Sequence, residues 1–254
     1  MMFTKAIVRT PCKEMVRGIT TSSLGKPDYN LAMVQHEEYI KALQSLGLDV
    51  TVLEADNNYP DSTFVEDVAI CTSEMAVITS PGATSRYGEQ ESMEKILENF
   101  YDTIEHIKRP ATLEAGDVMM AGEHFYIGIS NRTNHEGAEN LILLLQNYGM
   151  TGEKVEIEDI LHLKTGISFL EENTVLLQKV LSKHAAFRHF QKIEVPNNEL
   201  YAANSLWING TVLVPAGFPE TRGRIDKAGY PTLAVDVSEF EKLDGGLSCL
   251  SLRF

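Results

Sequence analysis

The sequence predicts an α/β protein in which five small ββαβ units form a closed ring. Four stretches of the chain share one pattern of apolar strand, polar turn, apolar strand and polar or glycine-containing exit. The turns of the first three stretches follow one another at intervals of 49 residues. The two chain ends each carry half of the same pattern, so together they supply a fifth unit. Radial repetition of this kind protects sheet edges from exposure.

Each of the four repeated stretches is predicted to be a β-hairpin. They are "FVEDVAICTSEMAVITSPG" from Phe64, "LEAGDVMMAGEHFYIGIS" from Leu113, "LKTGISFLEENTVLLQ" from Leu163 and "YAANSLWINGTVLVPAG" from Tyr201. Their turns fall at Ser73-Glu74, Gly122-Glu123, Glu172-Asn173 and Asn209-Gly210. Asn-Gly is the strongest of these turn signals, because both residues tolerate the positive φ angles of a tight hairpin.

Helical patterns follow three of the four hairpins and the N-terminal strand. They are "EQESMEKILENFYDTI", "NHEGAENLILLLQNYG", the weaker "PETRGRIDKAG", and "NLAMVQHEEYIKALQSLG" from Asn30 to Gly47. In the second, Asn134 is placed as an N-cap and Gly149 as the stop signal after Tyr148. The strand pattern "DVTVLEA" follows the last of these helices, which is the order of the other units.

The two ends of the chain are predicted to pair with each other. Thr4–Thr10, "TKAIVRT", and Leu247–Phe254, "LSCLSLRF", are each one strand of a hairpin of the repeated type. The C-terminal segment would then be an ordered closing strand instead of a frayed tail. No linker or low-complexity stretch interrupts the chain, so we expect one domain over residues 1–254.

Composition and charge exclude several classes of function. The net charge of −14 argues against nucleic acid or an anionic membrane as partner. The sequence has no apolar run long enough to span a membrane and no secretory signal near Met1. Its three cysteines include no CxxC pair, which argues against a disulfide framework or a structural zinc site. We therefore expect a cytoplasmic protein.

Side chains capable of chemistry recur at one position of the repeat, just before or at the start of the first hairpin strand. Successive spacings between these positions are 48, 48, 42 and 45 residues. The residues are Glu66-Asp67, Glu114, His162, Asn204 and Cys249. Because corresponding strand ends converge at the centre of a ring, this register predicts a site on the axis.

Each of these residues also has a purely structural interpretation. A lone cysteine is most often a small buried apolar residue, and a histidine on an apolar strand, as expected for His162, is usually a hydrogen-bonded core residue. The neighbouring Gly245-Gly246 pair favours the functional interpretation of Cys249, since glycines permit close approach of a ligand. Glu114 lies between apolar neighbours, and a buried carboxylate needs a partner. Cys12 and Cys71 have no base nearby in sequence and are assigned structural roles.

The combination of one thiol, one imidazole and at least three carboxylates favours nucleophilic catalysis on a cationic substrate. One cysteine and one histidine do not supply zinc's usual ligands, so no metal is expected. Carboxylates bind a guanidinium through paired hydrogen bonds. Arg86 and Arg132, which are 46 residues apart at the exits of consecutive hairpins, could hold a substrate carboxylate at the rim. A ligand with both groups is an arginine derivative.

These motifs resemble the dimethylarginine dimethylaminohydrolases, which belong to the guanidine-modifying pentein superfamily. The resemblance runs over essentially the whole chain. It is carried by "AIVRTP", "GKPDY", "YPDSTFVED", "EAGDVMM", "HFYIG", "LHLKTG", "YAAN" and "DGGLSCLSLRF". It implies a five-bladed pentein-type α/β propeller and hydrolysis of Nω-methylated arginines to citrulline and methylamines. It implies no cofactor, and it leaves open whether the protein is a homodimer.

The resemblance also implies a role for each site residue. Cys249 would be the nucleophile that forms a covalent thiouronium intermediate, His162 the acid and base, and Glu114 the group that orients His162. The implied substrate-binding residues are Glu66, Asp67 and Asp61 at the guanidinium, Arg86 and Arg132 at the α-carboxylate, and Leu243 and Ile19 at the α-amino end.

Several alternatives remain at this point. An arginine deiminase would usually carry an inserted helical domain for which this chain has no room. An agmatine deiminase would leave Arg86 and Arg132 without a carboxylate to bind, and amidinotransfer could use the same cysteine and histidine. A non-catalytic binding module, as in the pentein-fold ribosome anti-association factors, would lack the cysteine, histidine and glutamate set.

Overall fold

The computed structural model describes residues 2–254, which contain five three-stranded sheets. In every sheet the middle strand pairs antiparallel with one neighbour and parallel with the other. The sheets are β15 (Leu252–Arg253), β1 (Lys5–Arg9) and β2 (Asp49–Leu53); β3 (Ala69–Cys71), β4 (Ala76–Ile78) and β5 (Ile104–His106); β6 (Val118–Ala121), β7 (His124–Ile129) and β8 (Thr151–Glu156); β9 (Ile167–Phe169), β10 (Thr174–Leu177) and β11 (Gln191–Glu194); and β12 (Leu206–Ile208), β13 (Thr211–Pro215) and β14 (Thr232–Val235). This repetition confirms the predicted five-bladed α/β propeller.

The four predicted hairpin turns lie between the first and second strands of their blades. Asn209 and Gly210 form a two-residue turn with φ angles of 48° and 93°, which are typical of a tight hairpin. Gly122-Glu123 is also a two-residue turn, between the paired Ala121 and His124. The other two turns belong to longer loops, because their outermost paired residues lie further apart in sequence.

Helices connect the second and third strands in four of the blades. They are α1 (Tyr29–Ser45), α2 (Gln90–Leu97), α3 (His135–Asn147) and α5 (Pro219–Lys227), while α4 (Leu163–Gly166) and α6 (Ser238–Glu241) are single turns elsewhere. Asn134 caps α3 by accepting a hydrogen bond from the Gly137 amide at 2.8 Å, and Gly149 follows with a φ of 77°, as predicted. None of the helices within residues 2–254 is long and apolar enough to cross a membrane.

Successive side chains along a strand point to opposite faces of the sheet. The apolar core is therefore divided into several clusters, which lie between neighbouring blades or between a blade and its helix. Ala6 and Val8 of β1 pack with Tyr39 and Leu43 of α1, whereas Ile7, which points to the opposite face, packs with the neighbouring blade. Each blade thus contributes to two apolar layers, and the helices cover the outside. Burial of these side chains is the main force that holds the ring together.

The chain ends close the ring, as predicted. In β15, Leu252 pairs with Ile7 and Arg253 with Ala6. The prediction of a strand over Leu247–Phe254 is otherwise wrong, because Ser248–Leu250 forms a 3-10 turn and only two residues follow as a strand. Cys249 lies on this turn, and not on a strand.

A short helical turn of the same kind stands just before the first strand of every blade. These turns are Val65–Val68, Ala115–Asp117, Leu163–Gly166, Leu200–Ala203 and Ser248–Leu250. His162, expected on an apolar strand, is the residue that precedes the third of them. The polar residues that recur in the sequence therefore lie within these five helical turns or directly next to them. In a helical turn, successive side chains are rotated by about 100–120° around its axis, and not by the 180° of a strand.

Candidate active site

A pocket of about 50 Å³ opens at one end of the ring and collects nearly all the predicted site residues. Its lining combines the helical turns with two entrance segments. The lining residues are Ile19, Thr21, Asp61, Phe64, Asp67, Arg86, Glu114, Arg132, Leu161, His162, Leu243, Asp244, Gly245 and Cys249. Of the predicted set, Glu66 and Asn204 do not line it, and the Asn204 side chain is hydrogen-bonded to Ser248 and to the Lys164 carbonyl.

The His162 imidazole and the Glu114 carboxylate form the central hydrogen bond of the pocket. Nε2 of His162 lies 2.9 Å from Oε2 of Glu114, and the glutamate is 1% exposed. Its other oxygen accepts the Ala83 amide at 3.0 Å and lies 3.4 Å from Nη1 of Arg132. Burial opposes ionisation, but the contact with His162, together with the charges of Arg86 and Arg132, lowers the pKa of Glu114 to about 2. This carboxylate is therefore ionised at neutral pH.

Asp117 is a second buried carboxylate near His162, and sequence reasoning missed it. Its Oδ1 accepts the Leu163 amide at 2.9 Å and its Oδ2 accepts the Ser130 hydroxyl at 2.6 Å. Burial lowers the pKa of His162, but the charges of Asp117, Glu114 and Asp67 raise it to about 9. The imidazole is thus protonated at neutral pH. A buried acid three residues after Glu114 in "EAGD" was the available signal.

Cys249 is half-buried at the end of the pocket, and the Gly246 amide donates to its sulfur at 3.4 Å. Burial, with the negative charges of Glu66 and Asp67, raises the pKa of Cys249 to about 12. The Cys249 side chain is therefore a neutral thiol at neutral pH. Formation of its thiolate would require a change in its electrostatic surroundings.

The glycines next to Cys249, of which Gly245 lines the pocket, are also required by packing. Neither of them adopts a positive φ. A Cβ on Gly245 would lie 2.1 Å from the Phe64 ring, and one on Gly246 would lie 2.5 Å from the Asn204 side chain. They allow the blade starts to pack closely, which fixes the position of the turn that carries Cys249.

Arg86 is buried, and not at the rim of the pocket as predicted. Its side chain donates to Asp67 at 2.6 Å and to both oxygens of Glu89 at 2.8 and 2.6 Å. Asp67 also accepts the Gly116 amide at 3.1 Å. The arginine therefore holds the Asp67 carboxylate in the pocket wall, while Arg132 is the more exposed of the two predicted arginines.

Glu66 points away from the pocket, so its predicted place at the substrate is wrong. One carboxylate oxygen lies 2.7 Å from Nζ of Lys164 and 2.9 Å from Nη2 of Arg253, and the other accepts the Ser248 hydroxyl at 2.7 Å. Two cations and a hydroxyl bind this carboxylate. Glu66 and Asp67 are neighbours within the turn Val65–Val68, but only Asp67 lines the pocket.

Replacing Glu66 by glutamine is expected to destabilise the fold more than it weakens substrate binding. The change leaves Lys164 and Arg253 partly uncompensated in a buried position, which costs about 3–5 kcal/mol of unfolding free energy when one partner of such a pair is removed. Denaturant unfolding measures this loss. The matched control is Glu139→Gln, which breaks the exposed pair with Lys154 and should leave unfolding unchanged. A tenfold or greater rise in KM with unchanged stability would contradict this assignment.

The entrance is bounded by residues 18–24 and by the loop before Gly245. The Ile19 amide donates to Asp61 at 3.0 Å, and a Cβ on Gly18 would lie 2.7 Å from that carboxylate. The Thr21 amide and hydroxyl donate to Asp244 at 2.5 and 3.0 Å. Ile19, Asp61 and Leu243 therefore lie together at the entrance, and Asp244 joins them as a residue that sequence reasoning missed.

Asp67, Glu114 and His162 place one ligand atom each within 4.8 Å of one another, which is close enough to hold a metal ion. However, His162 and Glu114 are already hydrogen-bonded to each other, and Asp67 forms an ion pair with Arg86. A cation would have to displace these internal partners. The donor set fits acid–base chemistry better than metal binding.

The fold and the pocket together define a five-bladed α/β propeller with a cysteine, a histidine and a glutamate at its axis. A family model described as N,N dimethylarginine dimethylhydrolase, eukaryotic, matches residues 23–183. The N(G),N(G)-dimethylarginine dimethylaminohydrolase of Pseudomonas aeruginosa is 50% identical over all of both chains. That of Streptomyces coelicolor is 32% identical over 98% of this chain and 96% of its own. The chain belongs to the dimethylarginine dimethylaminohydrolase family.

Solved structures support the same assignment. A cysteine-to-serine mutant of the Pseudomonas aeruginosa enzyme in complex with citrulline superposes over all of both chains, with a TM-score of 0.99 at 49% identity. The N-terminal domain of ArgZ, an arginine dihydrolase, covers 98% of this chain and 97% of its own with a TM-score of 0.87 at 17% identity. The second similarity shows the fold alone.

Proposed function

We propose that the protein hydrolyses Nω-methylated L-arginine, either asymmetric dimethylarginine or monomethylarginine, to L-citrulline and dimethylamine or methylamine. The observation that carries this proposal is the meeting of the Cys249 thiol and the His162–Glu114 pair in one acidic pocket. Membership of the dimethylarginine dimethylaminohydrolase family supports the substrate class.

Substrate recognition follows from the charges and apolar groups around the pocket. Asp67 and Asp61 offer carboxylates to a guanidinium, while Arg132 offers its guanidinium to the α-carboxylate. Backbone groups of Ile19 and Leu243 at the entrance would contact the α-amino end. The rings and branched chains of Phe64 and Leu161 also line the pocket, and they offer apolar contacts to N-methyl groups.

Arg86 contributes to this recognition mainly through Asp67. Its predicted direct contact with the α-carboxylate would require that anion to approach an arginine already bound to Asp67 and Glu89. Repulsion from these acids makes Arg132 the better anchor for the carboxylate. Arg86 remains at the pocket wall, where its positive charge limits the repulsion between buried acids.

The arriving substrate supplies the activation that the thiol needs. In the empty pocket, burial and the nearby acidic charges keep the pKa of Cys249 at about 12. A guanidinium beside Asp67 offsets the negative charge there and places a positive charge next to the sulfur. Both changes favour the thiolate, so the pKa of Cys249 falls when substrate binds and the thiol releases its proton to solvent. The substrate is bound first and attacked afterwards.

The reaction then takes two steps. The thiolate attacks the guanidinium carbon, the bond from that carbon to the methylated nitrogen breaks, and protonated His162 gives its proton to the departing amine. A thiouronium intermediate on Cys249 remains. Neutral His162 next takes a proton from water as that water attacks the same carbon. The carbon–sulfur bond then breaks while the second proton of the added oxygen passes to the sulfur, which releases citrulline and restores the Cys249 thiol. Glu114 holds the imidazole in position throughout.

A substrate panel tests this function. The purified protein is incubated with asymmetric dimethylarginine, monomethylarginine, arginine and agmatine, and citrulline and carbamoylputrescine are measured. Citrulline should form from the two methylated arginines, with little or none from arginine and no carbamoylputrescine. Preference for arginine would overturn the substrate assignment. Transfer of the amidino group to an added amine, in place of citrulline formation, would overturn hydrolysis.

A further inference from the structure

A second and larger cavity, of about 140 Å³, lies on the ring axis apart from the catalytic pocket. Its walls come from the first strands of the blades, including Ile70 of β3, Met119 of β6, Phe169 of β9, Trp207 of β12 and Leu252 of β15. Among residues 2–254, no residue lines both cavities. No step of the proposed reaction takes place in this cavity.

The helical turns at the blade starts form the partition between the two cavities. Glu66 lines the second cavity and Asp67 the catalytic pocket. Likewise, Ser248 lines the second cavity and Cys249 lines the catalytic pocket. The floor of the second cavity is therefore the back of the catalytic wall.

Lys164 gives this floor unused hydrogen-bonding capacity. The Glu66 carboxylate already accepts from three groups, and Arg253 donates to Glu66, to the Ser251 side chain and to two backbone carbonyls. The Lys164 ammonium has three hydrogens, and its side-chain partner within residues 2–254 is Glu66 alone. The lysine side chain is 16% exposed. It can donate to an anion that enters the cavity.

The size and walls of the cavity define the rest of the ligand. A cavity of roughly 150 Å³ with apolar walls accommodates a benzene-sized molecule. Glu171 also lines the cavity, but it belongs to the loop at the other end of β9 from Lys164, so it lies towards the mouth. Its charge and that of Glu66 disfavour multiply charged anions such as phosphate.

We propose that this cavity binds a small monocarboxylate with an apolar body the size of one ring. The carboxylate accepts from Nζ of Lys164 on the floor, and the apolar body packs against Met119, Phe169 and Trp207. The site is separate from the catalytic pocket, and the proposal does not depend on the reaction assigned to that pocket.

Trp207 makes binding directly observable, because it is the single tryptophan of the chain and lines the cavity. Benzoate is titrated into the wild-type protein while tryptophan fluorescence is followed. The emission should change and saturate. Benzamide, which has the same shape without the charge, should bind about tenfold or more weakly, since it loses a charge-assisted hydrogen bond. Absence of a saturable change, or equal affinity for the two probes, would overturn the proposal.

Two lysine variants locate the anion. Lys164→Gln should weaken benzoate binding about tenfold or more, whereas the matched control Lys154→Gln, on the exposed face of β8, should leave it unchanged. Equal binding by Lys164→Gln and wild type would contradict the assignment. If Lys164→Gln does not fold, the comparison of benzoate with benzamide in the wild type decides. Citrulline should not displace benzoate, and displacement would place benzoate in the catalytic pocket and overturn the proposal.

Discussion

Replacing Cys249 by serine is expected to abolish hydrolysis of methylated arginine while the fold is retained. A serine hydroxyl is a far weaker acid than a thiol, so a bound guanidinium cannot bring it to the ionised state that attacks carbon. Loss of the nucleophile in covalent enzymes costs as much as about 10⁶ in kcat, and we expect a loss of at least about 10³-fold here. Citrulline formation under saturating substrate measures the effect.

Cys71→Ser is the matched control for this variant. Cys71 is 8% exposed in β3, within the core cluster between blades. Its replacement puts a hydroxyl into the apolar core and should lower the free energy of unfolding. It should leave kcat within about threefold of wild type, because the substitution lies away from the reacting atoms. Turnover by Cys249→Ser at a rate close to wild type would refute the covalent mechanism.

Substitution of His162 by alanine should be the second most damaging change, with kcat lower by about 10²–10⁴-fold. The departing amine needs a proton, and the hydrolytic water must lose one. Because His162 is buried beside Glu114 and Asp117, no solvent-exposed group takes its place. Single-turnover experiments that resolve formation and breakdown of the covalent intermediate measure each step. An unchanged rate of amine release would contradict this role.

The same residue predicts a pH dependence. The pKa of His162 is raised to about 9, so the imidazole is protonated at neutral pH and loses its proton as pH rises through about 9. Amine release should therefore slow above that pH. Glu114→Gln removes a partner that raises this pKa, so the falling limb should move to lower pH. The control variant Glu139→Gln, at an exposed site, should leave the pH of this fall in rate unchanged. If Glu114→Gln also left that pH unchanged, the role of Glu114 in raising the pKa of His162 would be contradicted.

Much of the fold was predictable because it depends on local signals and on repetition. The Asn-Gly turn, the Asn134 cap and the alternating strands are each determined by a few adjacent residues. Repetition of the pattern then placed five units in a ring, and the incomplete patterns at the two ends indicated closure through β1 and β15. The same register predicted four of the residues that line the pocket, Asp67, Glu114, His162 and Cys249, but it wrongly added Glu66 and Asn204.

The direction of side chains was not predictable in the same way. Glu66 and Asp67 were expected to reach the substrate together at the start of a strand, but the chain forms a helical turn there and only Asp67 lines the pocket. Arg86 was expected at the rim because it follows the exit of a hairpin, in register with Arg132. Its burial is possible because two carboxylates meet its charge, Glu89 three residues further along the chain and Asp67 from the start of the same blade.

The sequence by itself determined the five-fold repeat, the closing of the ring and the chemical groups at its axis, because these depend on periodicity and residue type. The tertiary structure alone decided which of those groups share a pocket. It placed Asp67 beside Arg86 and turned Glu66 towards Lys164, and it raised the pKa of Cys249. These outcomes depend on distances and burial between segments that are remote in sequence, and electrostatic effects in a folded protein depend on those quantities.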